Sequence, residues 1–540
     1  MVLSLQELLT RVEGKRDGWL SVAVAAAVAA SAAVLLLRSR STNSHELPRP
    51  ESTLPVLGNT LDTMKKQRAR LYDWFTDESL RHGGKPWQLS VVGRPRAIIA
   101  TSPLIFEDVL TNEGGTFMKG YQSCFLLRDF FGHGILAVEN DEWYFQRKTA
   151  SYLFSLQMMK DVMSDVIREK VALFNHVLLT HASRNDGMTP LSFRRAITHF
   201  TSDVFAKIGF GVELDCLKRS LEGDDENEFV SAFSYCAQVI QLRLQQPFWL
   251  WRLKRFLNVG DEKKYKQSMR VIDDLMMDII SRSIAKKNEL VANRQPARDL
   301  ITFFLESRVD EAMARAWRES HGGSELSQIR DMVVNFIFAG KDTTSNSMSW
   351  FIVMMNRYPH VADKIREELR AKMPALMTGK LVVPTMDDLK HLTYLEAAIR
   401  ENLRLNPPVA VTARTATCNT TLRDGTAINP GDRVVLASYA SARQPSVWGE
   451  DAAAFRPERW IDQASGQLIS ESPFKFTSFL AGPRMCIGRK FAMLEMKIAL
   501  AVLMARFDLD MVEDPWAVTY EIALTCPVAG PLMARVKPLV

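Results

Sequence analysis

A chain of 540 residues with 47% hydrophobic content has material for a large core, and length alone suggests two or three domains. The formal net charge is +6 and the pI about 8.9, but the basic residues are spread along the chain, which argues against nucleic-acid binding. The six cysteines (124, 216, 236, 418, 486 and 526) contain no C-x-x-C pair, so neither a disulfide framework nor a zinc site is expected, and a reducing compartment fits.

Residues 1–18 precede an uncharged, alanine-rich stretch from Trp19 to Leu37. Nineteen residues are enough to cross a hydrocarbon core of about 30 Å, so a transmembrane anchor is predicted over 19–37. A cleaved signal peptide fits less well. The most apolar part, Leu35-Leu36-Leu37, comes last and runs straight into Arg38 and Arg40. Arg11, Lys15 and Arg16 lie on the other side, so charge does not orient the span. Residues 38–58 carry Pro48, Pro50 and Pro55. Proline fixes φ and blocks helix, which predicts a stiff, extended spacer before a catalytic body over 59–540.

In the body, β-like stretches at Gln88–Val92 and Ala97–Thr101 flank a turn at Gly93-Arg94-Pro95. Helical patterns then dominate to about residue 405, and a second β-rich zone covers roughly 409–440. Pattern alone gives a large, mainly α protein. Trp143-x-x-x-Arg147 puts an indole and a guanidinium on one helix face, a pair that suits a carboxylate or simple packing. Ala339-Gly340-Lys341-Asp342-Thr343-Thr344 interrupts the helical pattern Ile329–Trp350, because glycine and β-branched threonines are poor mid-helix residues. It predicts a distorted helix or a capping-like Asp-Thr pair. Glu401-x-x-Arg404 would face each other on a helix, a pair worth little when exposed.

The run Phe479-Leu480-Ala481-Gly482-Pro483-Arg484-Met485-Cys486-Ile487-Gly488 sets one cysteine between a glycine turn and an apolar helical segment. A helix N-terminus stabilises a thiolate through its dipole and free N–H groups. An iron-ligating sulfur needs that anionic state and those hydrogen bonds. Gly482 would allow a turn where a side chain would strike a flat cofactor. Phe479 would shield the sulfur, Arg484 would offer a donor fork to a cofactor carboxylate, and Gly488 would let the next helix approach closely.

This run matches F-x-x-G-x-R-x-C-x-G, the haem-thiolate signature, and the chain resembles a cytochrome P-450 monooxygenase. The resemblance implies the mainly α cytochrome P-450 fold, a large helical domain plus a small β-rich one, behind the N-terminal membrane helix. It implies haem b with Cys486 as axial iron ligand, and Trp143, Arg147, Arg484 and Arg414 near the propionates. Ala339 stands where some animal fatty-acid ω-hydroxylases carry a glutamate esterified to haem, so the haem is expected to be non-covalent. Asp342 and Thr343 would deliver protons for oxygen activation. Arg459 of Phe455-Arg456-Pro457-Glu458-Arg459-Trp460 would join Glu401 and Arg404 in a buried network holding the cysteine loop. Electrons would come from NADPH through a separate reductase, docked on Lys148, Arg489, Lys490 and Lys497. The expected location is the endoplasmic reticulum membrane, with residues 1–18 lumenal and the catalytic domain cytosolic.

Gly132-His133-Gly134-Ile135, Trp143–Lys148, Phe210–Cys216, Pro247–Arg252 and Arg330–Thr344 look like the plant-type fatty-acid ω-hydroxylases. Hydroxylation at a chain end needs a long apolar channel, for which Phe117, Phe125, Leu126, Leu127, Phe130, Phe131, Phe336 and Ile337 are candidates. Pro408–Arg414 and Tyr439–Arg443 depart from those hydroxylases. A sterol or xenobiotic hydroxylase is therefore the alternative. A haem-thiolate isomerase or dehydratase working without a reductase is a third reading, which the Asp-Thr pair disfavours.

Overall fold

The computed structural model describes residues 47–112, 114–184, 188–222, 228–292, 301 and 325–539. The expected span at 19–37 lies outside them. Among the described residues no helix is long and apolar enough to cross a membrane.

Fourteen described helices of eight or more residues build the body. They are α1 (Leu71–Arg81), α2 (Pro103–Thr111), α3 (Tyr121–Phe131), α4 (Asn140–Leu153), α5 (Ser164–Arg184), α6 (Phe193–Phe210), α7 (Glu228–Gln245), α8 (Phe248–Leu257), α9 (Asp261–Ala292), α10 (Glu325–Ile337), α11 (Thr343–Arg357), α12 (Pro359–Lys372), α13 (Thr393–Leu405) and α14 (Arg489–Arg506). Helices α10 and α11 are joined through a π-helical turn, Phe338–Asp342. Nearly every residue of α11 is buried, as is most of α14, so these two helices run through the middle of the core.

The strands are β1 (Trp87–Leu89), β2 (Ala97–Ala100), β3 (Phe117–Met118), β4 (Leu191–Ser192), β5 (Thr412–Ala416), β6 (Thr420–Thr421), β7 (Ala427–Ile428), β8 (Arg433–Leu436), β9 (Phe507–Met511) and β10 (Met533–Pro538). A five-stranded sheet has the order β1-β2-β8-β5-β3, with β2 parallel to β8 and the other pairs antiparallel. The β1–β2 hairpin falls where the Gly93-Arg94-Pro95 turn predicts it. The second β-rich zone supplies β5 to β8. A three-stranded sheet, β4-β10-β9, joins the C-terminal strands to the start of α6.

Residues 47–58 are not an extended spacer. Thr53 N–H donates to the Pro50 carbonyl in a turn, and Leu54 pairs with Gly58. Gln88 N–H donates to Pro48 O (2.8 Å), and Gly58 bridges to Val91. Asn59, fully buried, accepts from Ser90 N–H and donates to Thr53 Oγ1. Prolines prevent helix here, but they do not prevent docking onto a strand edge. Residues 47–58 are therefore part of the folded body.

Two of the segments that look like plant ω-hydroxylases, 132–135 and 330–344, pack on each other. Asp331 and Asn335 of α10 accept from the His133 and Leu136 N–H groups, and Asn335 Nδ2 donates to Phe131 O. The loop 132–136 is thereby clipped onto the distal helix. Arg243, fully buried at the end of α7, donates to Glu262 through Nε (2.8 Å) and Nη2 (2.5 Å) and to Asp129 through Nη1 (2.5 Å). One guanidinium thus joins α3, α7 and α9.

Candidate active site

The cysteine loop runs into α14, with Gly488 as its N-cap. Cys486 N–H donates to Phe479 O (2.8 Å), which folds the loop back on itself. Leu480 (φ 58°) and Gly482 (φ +69°) both adopt left-handed backbone. A Cβ on Gly482 would lie 2.4 Å from the Leu110 carbonyl oxygen. Glycine is therefore imposed here by α2 and by its own φ. Gly488 has ordinary φ (−81°), and a Cβ there would make only van der Waals contacts. What Gly488 contributes is its N–H, which faces the Cys486 sulfur and favours the thiolate, as do Arg147 and Arg489. Burial outweighs them and pushes the thiol up.

Cys486 is closely surrounded by protein yet keeps exposed surface. A residue can do both only by facing an interior space. The same holds on the distal helix. Ala339 is exposed and Gly340 and Thr343 half-buried, in a helix otherwise almost wholly buried. Ala339 and Thr343, four residues apart, share one face. The π turn Phe338–Asp342 realises the predicted distortion, and Thr343 Oγ1 donates back to Ala339 O across it (2.7 Å). A Cβ on Gly340 would collide with the ring of Phe205, which also packs on Phe491 of α14. Phe205 so spaces the distal turn from the cysteine-bearing helix. Asp342, buried, contacts the ammonium of buried Lys341 rather than Thr343. Lys341 in turn lies over Phe233 (5.2 Å).

Trp143 and Arg147 share one face of α4, with the guanidinium over the indole (5.6 Å). Arg484 covers the same indole (4.4 Å) and donates to Val138 O (3.2 Å). Two guanidiniums and an indole N–H from separate elements so converge beside the cysteine loop. Arg414, buried on β5, donates to Thr412 Oγ1 (3.2 Å) and Ala413 O (3.0 Å).

Glu401 is fully buried and takes Arg404 bidentately (Nε and Nη2, both 2.8 Å). It also accepts from Arg456 N–H (2.9 Å), Arg459 Nε (3.5 Å) and Trp460 Nε1 (2.9 Å). Arg404 spends its other donors on the carbonyls of Ala442, Ala452 and Ala454. Arg459 ties to Asp451 (2.9 Å). Trp460 packs edge-on against Phe476 (4.8 Å), which touches Phe479, and Ser478 Oγ donates to Leu403 O (2.7 Å). The network thus reaches the cysteine loop by two routes.

A thiol facing an interior slot, a distorted distal helix with one accessible face and a cluster of cationic donors at the rim fit a flat, dianionic macrocycle. The sequence profile described as Cytochrome P450 matches residues 48–527. The chain belongs to the cytochrome P450 family. It is a monooxygenase of that family, carrying haem b and receiving NADPH-derived electrons through a reductase. This P450 is 31% identical over 488 residues to "Cytochrome P450 94B1" of Arabidopsis thaliana, covering 89% of this chain and 90% of that one. It is 31% identical over 495 residues to "Cytochrome P450 86B1" of the same plant, covering 89% and 84%. It is 30% identical over 486 residues to "Cytochrome P450 94A2" of Vicia sativa, covering 87% and 86%.

Other expectations land differently. Phe117, Leu126, Phe130, Phe131, Phe336 and Ile337 are buried core, and Phe130, Phe131, Phe233 and Phe338 form one aromatic cluster. Of the suggested reductase-facing cations, Lys148, Arg489 and Lys490 are exposed, but Lys497 is held by Glu396 (2.8 Å). Sequence reasoning missed Trp460 as a Glu401 partner, although it ends the quoted F-R-P-E-R-W run. It also missed Glu495, a fully enclosed carboxyl on α14 against the Thr344 hydroxyl. An acid inside an apolar helical stretch was the available signal.

Proposed function

We propose that this P450 hydroxylates long-chain fatty acids at or near the methyl end. One observation carries the reading: the accessible Ala339 follows directly on Phe338, which packs with Phe131 and Phe233, so the protein behind the open face of the helix is apolar, as a hydrocarbon tail needs. The resemblance to plant-type ω-hydroxylases supports it, as does the plant origin of the relatives above.

Cys486 would hold the haem iron, its charge moderated by the Gly488 N–H and by Arg147 and Arg489. Trp143, Arg147, Arg484 and Arg414 would hold the propionates, and Ala339 has no carboxyl with which to esterify the haem. When bound, the haem activates dioxygen. One oxygen atom enters a C–H bond and the other leaves as water, consuming two electrons and two protons. Thr343 presents its hydroxyl on the open face of the distal helix, where it passes a proton. Asp342 would resupply it after leaving Lys341 and taking a proton from solvent.

Residues 54–61 and α8 suggest how the enzyme meets its substrate. Leu54, Val56, Leu57 and Leu61 are exposed, and so are Trp249, Leu253 and Phe256 at i, i+4, i+7 on α8. Phe256 is 85% exposed. The two segments adjoin, since Thr63 Oγ1 donates to Gln245 O (3.4 Å) and Gly93 lies beside Trp249. An apolar patch with Arg252, Lys254 and Arg255 on the same helix suits a bilayer surface, in keeping with an anchor at 19–37 and the endoplasmic reticulum membrane.

The deciding experiment is a titration of the haem-loaded protein with saturated fatty acids of several lengths, followed by product analysis with reductase and NADPH. A spin-state shift and terminal or near-terminal alcohols are expected; neither with any acid would sink the assignment. The reduced carbon monoxide complex should show a red-shifted Soret band that Cys486→His abolishes. Thr343→Ala should bind substrate normally while diverting most NADPH to peroxide or water. Unchanged coupling would remove Thr343 from the proton path.

A further inference from the structure

The two segments that depart from the plant ω-hydroxylases, Pro408–Arg414 and Tyr439–Arg443, are joined in the structure. Tyr439 N–H donates to Ala410 O (3.0 Å), and Cys526 N–H donates to Pro408 O (2.8 Å). Cys526 lies near the tip of a hairpin whose arms pair at Tyr520 and Val528. That tip also sits on the distal helix. Asn346 Nδ2 donates to Thr525 Oγ1 (3.0 Å), and Trp350 Nε1 to Cys526 O (2.9 Å). Asn346 and Trp350 follow Thr343 at i+3 and i+7, so they continue its face of α11. Both are buried, whereas Thr343 is half-buried. The hairpin tip therefore covers the face of the distal helix just beyond Thr343, with the 408–410 turn bonded to it.

Both wall segments are fastened to one carboxylate on a different element. Asp73, near the start of α1, accepts from Tyr439 Oη at Oδ1 (3.0 Å) and from Tyr520 Oη at Oδ2 (2.9 Å). Its own N–H donates to Tyr520 Oη (3.1 Å). Tyr72 packs on both rings (5.9 and 5.1 Å), and the two pack on each other (5.7 Å). Arg443 caps the Tyr439 ring (3.6 Å) and donates to Leu405 O (2.7 Å). All three tyrosines are buried. Burial, with Asp73 adding to it, raises the Tyr439 and Tyr520 phenols above their ordinary range, so both hydroxyls remain donors. Hydrogen bonds to a charged acceptor are shorter and stronger than neutral ones. Asp73 thus fixes, at one point, the base of the hairpin and the residue that holds the 408–410 turn.

We propose that Asp73, Tyr439 and Tyr520 form a positioning clamp that sets which carbon of the substrate is attacked. They act through the two wall segments, not by contact with the substrate. This rests on the fatty-acid reading and adds what confines attack to the chain end. Neighbouring carbons of a saturated chain are chemically almost alike. Choosing one needs walls held within about 0.5 Å by supporting residues that are themselves locked. Loosening the clamp would widen the space beside the distal helix and admit carbons further from the methyl end.

The test uses the haem-loaded full chain with Tyr439→Phe, Tyr520→Phe and Asp73→Asn, which remove hydrogen bonds and little volume. Tyr394→Phe is the control, because it deletes a hydroxyl–carboxylate bond elsewhere in the fold, to Glu458 (2.9 Å). Product positions from palmitic acid are read with reductase and NADPH. Imidazole and 4-phenylimidazole, a small and a bulky iron ligand, are titrated by the Soret shift, which needs neither turnover nor a fatty acid. Each clamp variant should raise the share of products away from the wild-type position about threefold. Affinity for 4-phenylimidazole relative to imidazole should rise about fivefold. Tyr394→Phe should lower the thermal midpoint by a similar amount and change neither ratio. Unchanged product positions in the clamp variants, or equal spreading in Tyr394→Phe, would overturn the clamp while leaving the fatty-acid function standing. Loss of haem from all three clamp variants would reduce the contacts to scaffold and overturn it too. An azole ratio altered only in the clamp variants, with no spin shift and no product from any acid in the wild type, would do the reverse. An unaltered azole ratio with no wild-type product would remove both.

Discussion

Glu495 shows how one residue can link the proximal and distal sides. It sits on α14 nine positions after Cys486, fully enclosed, with Thr344 as its one stabilising contact and its Oε1 without a partner. Burial raises its carboxyl well above the usual range, and the Thr344 hydroxyl offsets only part of that. The acid is therefore neutral in the folded protein at pH values where the unfolded chain has ionised it. Because the folded pKa is raised, this proton's stabilisation is complete below the ordinary carboxylate range. It is lost progressively as pH rises from there through the folded value. Glu495→Gln keeps the neutral shape and removes the proton. Its thermal midpoint should exceed the wild type's by about 2–5 °C at neutral pH, with the gap closing near pH 4. A gap independent of pH would show that Glu495 is not protonated.

At the scale of elements, the cysteine loop depends on a network that reaches well beyond the loop. Removing the Glu401 carboxylate leaves Arg404 buried without its counter-charge, at a cost of about 3–5 kcal/mol. It also frees Trp460 from its acceptor and loosens Trp460 against Phe476. Glu401→Ala should therefore lose haem, read as the ratio of Soret to protein absorbance, before it loses helix content. A folded variant with full haem would refute the network's role. How much of this was legible follows from the range of the signals. Spacing alone makes Glu401 and Arg404 an ordinary helical ion pair; that Arg459 joins them in a buried network was legible only through the resemblance to the family. The π turn at 338–342 was legible because glycine and two threonines interrupt a strong helical period. The constraint that Leu110 places on Gly482 was hidden because Leu110 lies more than 370 positions away in sequence. The folding of residues 47–58 onto β1 was hidden too, since a proline run reads alike whether it docks or not.

At the scale of the whole molecule, two separate features would place the enzyme at a bilayer: the apolar stretch 19–37 and the patch formed by residues 54–61 with α8. They are separable because the second belongs to the folded body. A chain starting at residue 47 retains Leu54, Val56, Leu57, Trp249, Leu253 and Phe256 on one surface. Each buried methylene is worth about 0.8 kcal/mol, so a few such side chains give measurable but reversible binding, unlike a spanning helix. The truncated protein should thus float with vesicles of phosphatidylcholine and phosphatidylserine and be released by alkaline carbonate. Trp249→Asp with Phe256→Asp should reduce flotation at least tenfold while leaving the carbon monoxide spectrum intact. Both side chains are exposed and neither belongs to the cysteine loop or the distal helix. Flotation unaffected by both changes would mean that α8 does not face the bilayer.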